Sequence, residues 1–377
     1  MAVEIASKAT LAWTYTPAAA VEPAAPIAAY DTFFWSGSDG AVRAIRAASG
    51  ELKWSAYTGG AIVYPPAAYR GRLYVGSGDG WVYCFDAGTG RPCWRFRAAP
   101  MERKIPIYGR LGSTWPVGSG VLVDGGVVYA AAGVANYDGT HVYALDAETG
   151  RIRWQNNTSG RLAGPDSLSG VSVQGHLLLD AGKLYLAGGN AASPAVYDVR
   201  DGRCLNANRE EGKTPCPRGQ DLFLIQDRVH CFDRRLYGPN RYWPGRRFLG
   251  PLVLAHRGET TIRDLNGRVA RVTVESAVGT APKVVWQSGH LRQTYAMALG
   301  ANAVVVAGQR AAADGRADPQ HAVAALAVGD GAVLWSHPLP AQPAWWGLAI
   351  DKAGRVFVSL VDGRVFCFSA AALGAGN

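Results

Sequence analysis

One short pattern recurs along the chain: an alternating apolar strand, a tight turn ending in glycine, and a second strand that usually closes on tryptophan. It occurs five times, as AVRAIRAASGELKW (41–54), WVYCFDAGTGRPCW (81–94), HVYALDAETGRIRW (141–154), AVYDVRDGRCL (195–205) and AVAALAVGDGAVLW (322–335). Apolar alternation with period two, followed by a glycine turn, is typical of a β-hairpin. A repeated unit of this size buries its apolar face only against its neighbours, so the copies must stack.

Weaker copies extend the pattern to RVHCFD (228–233), RVARVTV (268–274) and RVFCFS (364–369). All copies share a valine, which stands at Val42, Val82, Val142, Val196, Val229, Val269, Val323 and Val365. The intervals leave room for about four strands of ~5–6 residues per copy. We therefore predict an all-β, eight-bladed β-propeller with four-stranded antiparallel blades. Seven blades is the alternative, because the interval before Val229 is short for a full blade.

The N-terminus offers the strand that the last copy lacks. That copy ends near Ser369 without a tryptophan-bearing strand, whereas LAWTY (11–15) is such a strand and belongs to no other copy. Trp13 stands where Trp54 and Trp94 stand in their own copies. We predict that residues 10–16 complete the final blade and so remove exposed sheet edges. The chain then consists of a leader or linker over residues 1–9 and a single propeller domain over residues 10–377.

Composition excludes several classes of protein. A hydrophobic content of 48 % is too high for a disordered chain. No apolar run approaches the ~18 residues of a membrane-spanning helix. The net charge is +9, and ten arginines lie between Arg228 and Arg271. No nucleic-acid-binding motif accompanies that cluster, so we expect no nucleic-acid partner and no membrane span.

The six cysteines form no CxxC motif and no adjacent pair, so the sequence predicts no metal site. Cys84, Cys231 and Cys367 fill one repeat position where other copies carry alanine, which indicates small core residues. Two disulfides remain open alternatives that the spacing does not require. One would join Cys84 to Cys93 across a hairpin, and the other would join Cys204 to Cys216.

DAGTGRPCW (86–94) and DAETGRIRW (146–154) resemble the tryptophan-docking motif of the PQQ-like propeller repeat family, in which each tryptophan packs between neighbouring blades. The resemblance covers roughly residues 10–370. In size the chain looks like the BamB-type eight-bladed members and not like the longer quinoprotein dehydrogenases. GVANYDGTHVYALDAETG and VSVQGHLLLDAGKLYLAGGN also resemble uncharacterised bacterial propeller proteins, planctomycete ones among them. The resemblance implies a periplasmic or cell-surface location.

Long loops on one face of such a fold are where a binding site is expected. The longest are 97–114, 133–141, 155–170, 188–195 and 308–321, and they carry arginine, asparagine and aromatic residues. These residue types recognise carbohydrates and anions. The predicted ligand-binding residues are Arg110, Trp115, Asn136, Tyr137, Asp138, His141, Asn156, Asn190, Arg292, Tyr295 and Trp346. Each has a structural alternative: Asn136 and Asp138 as turn residues, His141 as a strand cap, and Asn156 as a partner for strand ends.

Three functions follow from these features. The first is a non-catalytic binding or scaffold propeller for a protein or an anionic glycan, either monomeric or part of a larger multidomain chain. The second is a polysaccharide (uronate) lyase, in which Tyr137 or His141 abstracts a proton while Arg110 neutralises the carboxylate. The third and least favoured is a PQQ-dependent dehydrogenase. Those enzymes carry a vicinal cysteine pair that is missing here, so PQQ and Ca²⁺ are not expected and no cofactor is predicted.

Overall fold

The computed structural model describes residues 3–107, 110–162, 164, 169–173, 175–189, 192, 194–206, 222–225, 227–231, 253–274, 282–310 and 320–370. Within these ranges the regular structure is β-strand, apart from one 3-10 helix at Asn136–Asp138. No helix in the described ranges is long and apolar enough to cross a membrane. The chain is therefore all-β, built from antiparallel sheets.

The first strand is β1 (Thr10–Tyr15). One four-stranded sheet then contains β2 (Ile27–Ala29), β3 (Thr32–Ser36), β4 (Ala41–Arg46) and β5 (Leu52–Tyr57). The next contains β6 (Ala67–Tyr69), β7 (Arg72–Gly76), β8 (Trp81–Asp86) and β9 (Pro92–Arg97). A separate hairpin of β10 (Lys104–Ile107) and β11 (Arg110–Ser113) follows. A further four-stranded sheet contains β12 (Val121–Asp124), β13 (Val127–Ala132), β14 (His141–Asp146) and β15 (Ile152–Asn156).

Two smaller sheets come next: β16 (Leu177–Asp180), β17 (Lys183–Leu186) and β18 (Ala195–Asp198), then β19 (Leu222–Ile225) and β20 (Arg228–Cys231). Four strands follow in one sheet: β21 (Leu254–Arg257), β22 (Thr260–Leu265), β23 (Arg268–Val272) and β24 (Val284–Ser288). Another sheet holds β25 (Leu291–Leu299), β26 (Ala303–Arg310), β27 (His321–Ala327) and β28 (Val333–Leu339). The last strands are β29 (Pro343–Ile350), β30 (Val356–Leu360) and β31 (Val365–Ser369).

The repeated valines all lie in strands. Seven of the eight stand in the third strand of a sheet, and Val229 stands in the second strand of the β19–β20 pair. Val42, Val82, Val142, Val269 and Val323 are completely buried. The hairpin interpretation of the repeat is confirmed, because the valine-bearing strand pairs antiparallel with the strand after it, as in β8–β9, β14–β15 and β27–β28.

The N-terminal strand completes the last sheet. β1 pairs antiparallel with β31, giving the order β1-β31-β30-β29, with Trp13 opposite Cys367. Trp94 lies opposite Cys84 in the same way. The prediction for residues 10–16 is thus confirmed, and β31 is not left as a free edge.

Five tryptophans in the described residues connect the strand that carries them to a turn of another sheet. The indole N–H groups of Trp13, Trp54, Trp94, Trp154 and Trp286 donate to the carbonyl oxygens of Ala47, Ala87, Ala147, Val199 and Val328. Each ring also lies against a turn glycine of the sheet that it reaches. A Cβ atom added to Gly90 would lie 2.6 Å from the Trp54 ring. Only glycine therefore permits this contact.

Residues 3–9, for which the sequence predicts a leader or linker, pack against the β25–β28 sheet. Ile5 is almost fully buried, and its N–H donates to the side-chain oxygen of Asn302. Trp335 Nε1 donates to the Ala6 carbonyl, and a ring nitrogen of His337 bonds to the Ala9 carbonyl at 2.7 Å. Residues 3–9 therefore provide Trp335 with its carbonyl partner, whereas each of the other five tryptophans bonds to a carbonyl of another sheet.

Contacts between Cα atoms divide the chain into two compact units. One comprises residues 1–35, 43–53 and 252–377, and the other comprises residues 36–42 and 54–251. The first contains a core around Trp35, Phe33 and Phe357. The second contains a core around Tyr74, Trp115 and Leu145. Each unit thus has its own apolar interior.

Substitution of the turn glycines tests the tryptophan contacts. Gly71 and Gly90 both have positive φ, at 76° and 74°, but no heavy atom would lie within 4 Å of a Cβ at Gly71. Gly71→Ala should cost about 1–2 kcal/mol of stability through backbone strain alone. Gly90→Ala should cost a further ~1–3 kcal/mol, because the new methyl overlaps Trp54. Denaturant titration of the two variants measures the difference, and equal losses would show that the ring does not rest on the glycine.

Candidate functional site

Hydrogen bonds join the two ends of the β10–β11 hairpin to each other and to the loop between β7 and β8. Thr114 N–H donates to the Arg103 carbonyl at 3.0 Å, and Arg103 Nε donates to Thr114 Oγ1 at 3.1 Å. Ser113 N–H donates to Gly78, and Val117 N–H donates to Ser77, in the loop between β7 and β8. These bonds hold both ends of the long loop 97–114 in place.

Trp115 follows this hairpin in the chain, and its ring contacts the guanidinium of Arg103. Its ring is buried, and its Nε1 donates to the Asp138 carbonyl at 2.6 Å. The Arg103 guanidinium carbon lies 5.3 Å from the centre of the ring. This distance is within the range of a cation–π interaction. The same guanidinium is 4.0 Å from the Asp138 carboxylate, and about half of the Arg103 side chain remains exposed.

The loop 133–141 carries the residues that face this arginine. Asn136, Tyr137 and Asp138 form the 3-10 helix between β13 and β14. The Asn136 side-chain nitrogen bonds to the Gly160 carbonyl at 3.4 Å, which braces the helix from the neighbouring loop. Tyr137 projects outward with 54 % of its surface exposed. We call Arg103, Trp115, Tyr137, Asp138 and His141 the Arg103 surface.

His141 begins β14, and its ring meets Trp115 edge to face, with 6.5 Å between the ring centres. Burial lowers the pKa of His141 below its ordinary value of 6.5. Within the described residues, neither ring nitrogen of His141 has a hydrogen-bond partner. A neutral imidazole at pH 7 is therefore held against an aromatic ring.

A second aromatic cluster lies in the other compact unit. Tyr295 on β25 is buried, 4.8 Å from Trp345 and 6.1 Å from His321 between ring centres. Burial raises the pKa of the Tyr295 phenol. Trp346 is half-buried with φ 54°, where β29 bulges between Pro343 and Leu348. Left-handed backbone at a bulky residue is strained, and such strain is concentrated at functional sites.

The remaining predicted residues separate into different environments. Asn156 makes hydrogen bonds within the fold: its Nδ2 donates to the Gly202 carbonyl and its Oδ1 accepts from the N–H groups of Thr158 and Ser159. Arg292 is exposed on β25. The side chain of Arg110 and the whole of Asn190 lie outside the described residues, as do residues 232–252 of the arginine-rich segment. The structure therefore brings Trp115, Asn136, Tyr137, Asp138 and His141 together.

Two residues of these clusters escaped the sequence analysis. Thr114, which fixes Arg103, looks like an ordinary loop residue. His321 begins β27 as His141 begins β14, and both rings face an aromatic side chain. A histidine opening the third strand of a sheet was the available signal for His321.

Two observations concern the groups that a quinone and its metal ion would contact. The sequence contains no adjacent cysteine pair. In the part of the chain that the structure describes, no group of three or more His, Cys, Asp or Glu side chains is arranged to hold a metal ion. Cys84, Cys93, Cys204 and Cys367 are free thiols, and Cys84 and Cys367 are core residues, as predicted.

Comparison with known proteins agrees with this architecture. The family profile described as "Outer membrane protein assembly factor BamB" matches residues 7–236. The outer membrane protein assembly factor BamB of Burkholderia pseudomallei (strain K96243) is 31 % identical over 134 residues, covering 33 % of this chain and 31 % of that protein. The serine/threonine-protein kinase AfsK of Streptomyces griseus is 34 % identical over 135 residues, covering 34 % of this chain and 15 % of the kinase. The matches span less than a third of either relative.

Among solved structures, the quinohemoprotein alcohol dehydrogenase ADHIIG from Pseudomonas putida HK5 aligns with a TM-score of 0.55 at 13 % identity. It covers 98 % of this chain and 78 % of that one. At that identity the likeness concerns the fold alone. Repeated antiparallel sheets joined by tryptophan contacts define a PQQ-like repeat protein. Since the profile covers more than half of its length, the chain belongs to this BamB-type β-propeller family.

The lowered pKa of His141 predicts a pH-dependent stability. The unfolded state binds the proton more tightly than the folded state, so stability should fall as the pH drops below about 6.5. The stability of His141→Gln should decrease less over the same pH range, because glutamine does not titrate. Urea titrations of both proteins above and below about pH 6.5 measure the difference. Identical pH profiles would mean that His141 is protonated as easily when folded as when unfolded.

Proposed function

We propose that this chain is a non-catalytic binding propeller that holds a partner protein on the Arg103 surface. The observation that carries the proposal is the half-exposed Arg103 guanidinium above the buried Trp115 ring, beside the exposed Tyr137. Arginine, tryptophan and tyrosine are the residues that contribute most binding energy at protein interfaces.

The support beneath these groups favours binding over catalysis. Hydrogen bonds to Thr114 and the ring of Trp115 restrict Arg103 before any partner arrives. A restricted side chain loses less conformational entropy on binding, which improves affinity. Its contact with Asp138 is loose at 4.0 Å, so a partner carboxylate can form a closer pair. With a net charge of +9, the chain should prefer an acidic partner segment.

The family relationship supports the same function. The matched family is described as an outer membrane protein assembly factor, which is the role of a protein that works with other proteins. By this analogy we propose a periplasmic or cell-surface location. We also propose eight blades, since eight repeat copies fall in eight sheets apart from the β10–β11 hairpin, in the part of the chain that the structure describes. We propose that PQQ and Ca²⁺ are not required.

The second candidate is a polyuronate lyase, and the observation that favours it is the neutral His141 imidazole close to Trp115. A neutral histidine is able to accept the proton that lies next to a uronate carboxylate. Arg103 would neutralise that carboxylate, and Tyr137 would protonate the leaving oxygen. An anionic glycan would thus use the same surface as a protein partner.

In-cell photo-crosslinking tests the binding function. A photoreactive amino acid at position 137 should form a defined adduct with a partner protein. The same amino acid in place of Tyr57, which is also exposed, is the matched control. Adding Arg103→Ala should reduce the yield at position 137 by about tenfold, since loss of ~1.4 kcal/mol lowers affinity by that factor. Adducts of equal yield at both positions, or no effect of Arg103→Ala, would contradict the proposal.

Product assays test the lyase alternative. Wild-type protein incubated with polygalacturonate or alginate should yield no unsaturated product by ultraviolet absorbance. Formation of that product, with loss in both His141→Gln and Tyr137→Phe, would replace the binding function by an enzymatic one. A parallel incubation with PQQ and Ca²⁺ should produce no shift in melting temperature.

A further inference from the structure

A β-bulge places two cysteines opposite each other in the β8–β9 hairpin. Cys84 pairs with Trp94, and the next pair along the ladder is Phe85 with Pro92, so Cys93 is the extra residue on its strand. In a bulge of this kind, two residues of one strand oppose a single residue of the other. Cys84 therefore lies opposite both Cys93 and Trp94 in the ladder, and burial and the proximity of Cys93 both raise the pKa of Cys84.

The two thiols differ in access. Cys84 is completely buried, whereas Cys93 is exposed, and neither is bonded to another cysteine. Cys93 lines an open cavity of about 580 Å³ together with Tyr57, Trp94 and Arg95. A small reagent in that cavity can reach Cys93. An exposed thiol in front of a buried one is the arrangement of an attacking and a resolving cysteine.

A cation stands beside this pair. The Arg72 guanidinium donates to the Glu148 carbonyl, and its positive charge acts to lower the pKa of the Cys84 thiol. Burial raises the pKa of Cys84 to about 12, while Arg72 acts in the opposite direction. The net effect disfavours the thiolate of Cys84, and the thiolate is the form that attacks a disulfide, so the exposed Cys93 is the thiol that meets the oxidant first.

We propose that Cys84 and Cys93 form an intrachain disulfide when the chain meets a disulfide oxidant, and that this hairpin is an oxidative modification site. The Cys93 thiolate attacks a sulfur of the oxidant, such as oxidised glutathione, and releases one thiol. The Cys84 thiolate then attacks the Cys93 sulfur of the mixed disulfide and releases the second thiol. The two cysteines lose two protons and two electrons, and the oxidant is reduced to two thiols.

The disulfide between Cys84 and Cys93 would close a loop that contains Gly90, the glycine in contact with the Trp54 ring. Residues 85–92 include the turn from Asp86 to Gly90, on which the Trp54 ring rests. Closing this loop removes conformations from the unfolded chain. The oxidised protein should therefore unfold at a higher urea concentration than the reduced protein.

Peptide mapping after oxidation tests the site directly. Cleavage before aspartate places Cys84 in fragment 79–85 and Cys93 in fragment 86–123. After incubation of the full chain with oxidised glutathione and alkylation of free thiols, the two fragments should be recovered as one linked species. That species should lack two hydrogen atoms and should separate on reduction. The link should be absent from Cys93→Ser and from Cys84→Ala.

The controls keep failure to fold separate from failure to link. Alanine occupies the position of Cys84 in three other copies, at Ala44, Ala144 and Ala325, so Cys84→Ala keeps a side chain that this position accepts. Cys367→Ala, at the same repeat position in the last sheet, should leave the link intact. Recovery of alkylated Cys84 with a stable glutathione adduct on Cys93 would overturn the proposal. A link from Cys93 to any other cysteine, or between two chains, would also overturn it.

Discussion

The contact between a tryptophan and the turn glycine of the next sheet is the interaction on which the rest of this structure depends. The ring of Trp94 lies on Gly150 and its N–H bonds to Ala147, and the same arrangement recurs from Trp13 to Trp286. Each contact combines burial of a large apolar surface with one hydrogen bond at a defined angle. Since glycine is required beneath the ring, the turn and the strand that carries the tryptophan are specified together.

This repetition explains why most of the fold could be predicted from the sequence. Alternation around the repeated valine identifies the third strand of each sheet, and the unused Trp13 identifies the strand that joins β31. The prediction is weakest where the repeat is absent. Residues 3–9 replace a sheet as the partner of Trp335, although nothing in their sequence resembles the motif. The extra residue Cys93 likewise depends on a shift in pairing that alternation does not reveal.

The candidate site was predicted only in part, for a related physical reason. Trp115, Tyr137 and His141 are conspicuous residue types in long loops, so composition and loop length were enough to select them. Their arrangement depends on bonds between distant segments, such as Trp115 to the carbonyl of Asp138 and Arg103 to Thr114. The spacing of residues along the sequence does not predict such bonds. Tyr295 was also selected as a ligand contact, but its ring is buried among other aromatic rings.

In our proposal the sheets and the loops have different roles: the tryptophan contacts hold the sheets together, and the sheets present Arg103 and Tyr137 to a partner. Hydrogen–deuterium exchange of the chain, alone and with the partner recovered by crosslinking, tests that claim most directly. We predict slower exchange in residues 98–107 and 133–141 on binding, with no change in residues 55–57 and 92–95. Protection confined to the latter segments, or spread evenly over the chain, would contradict it.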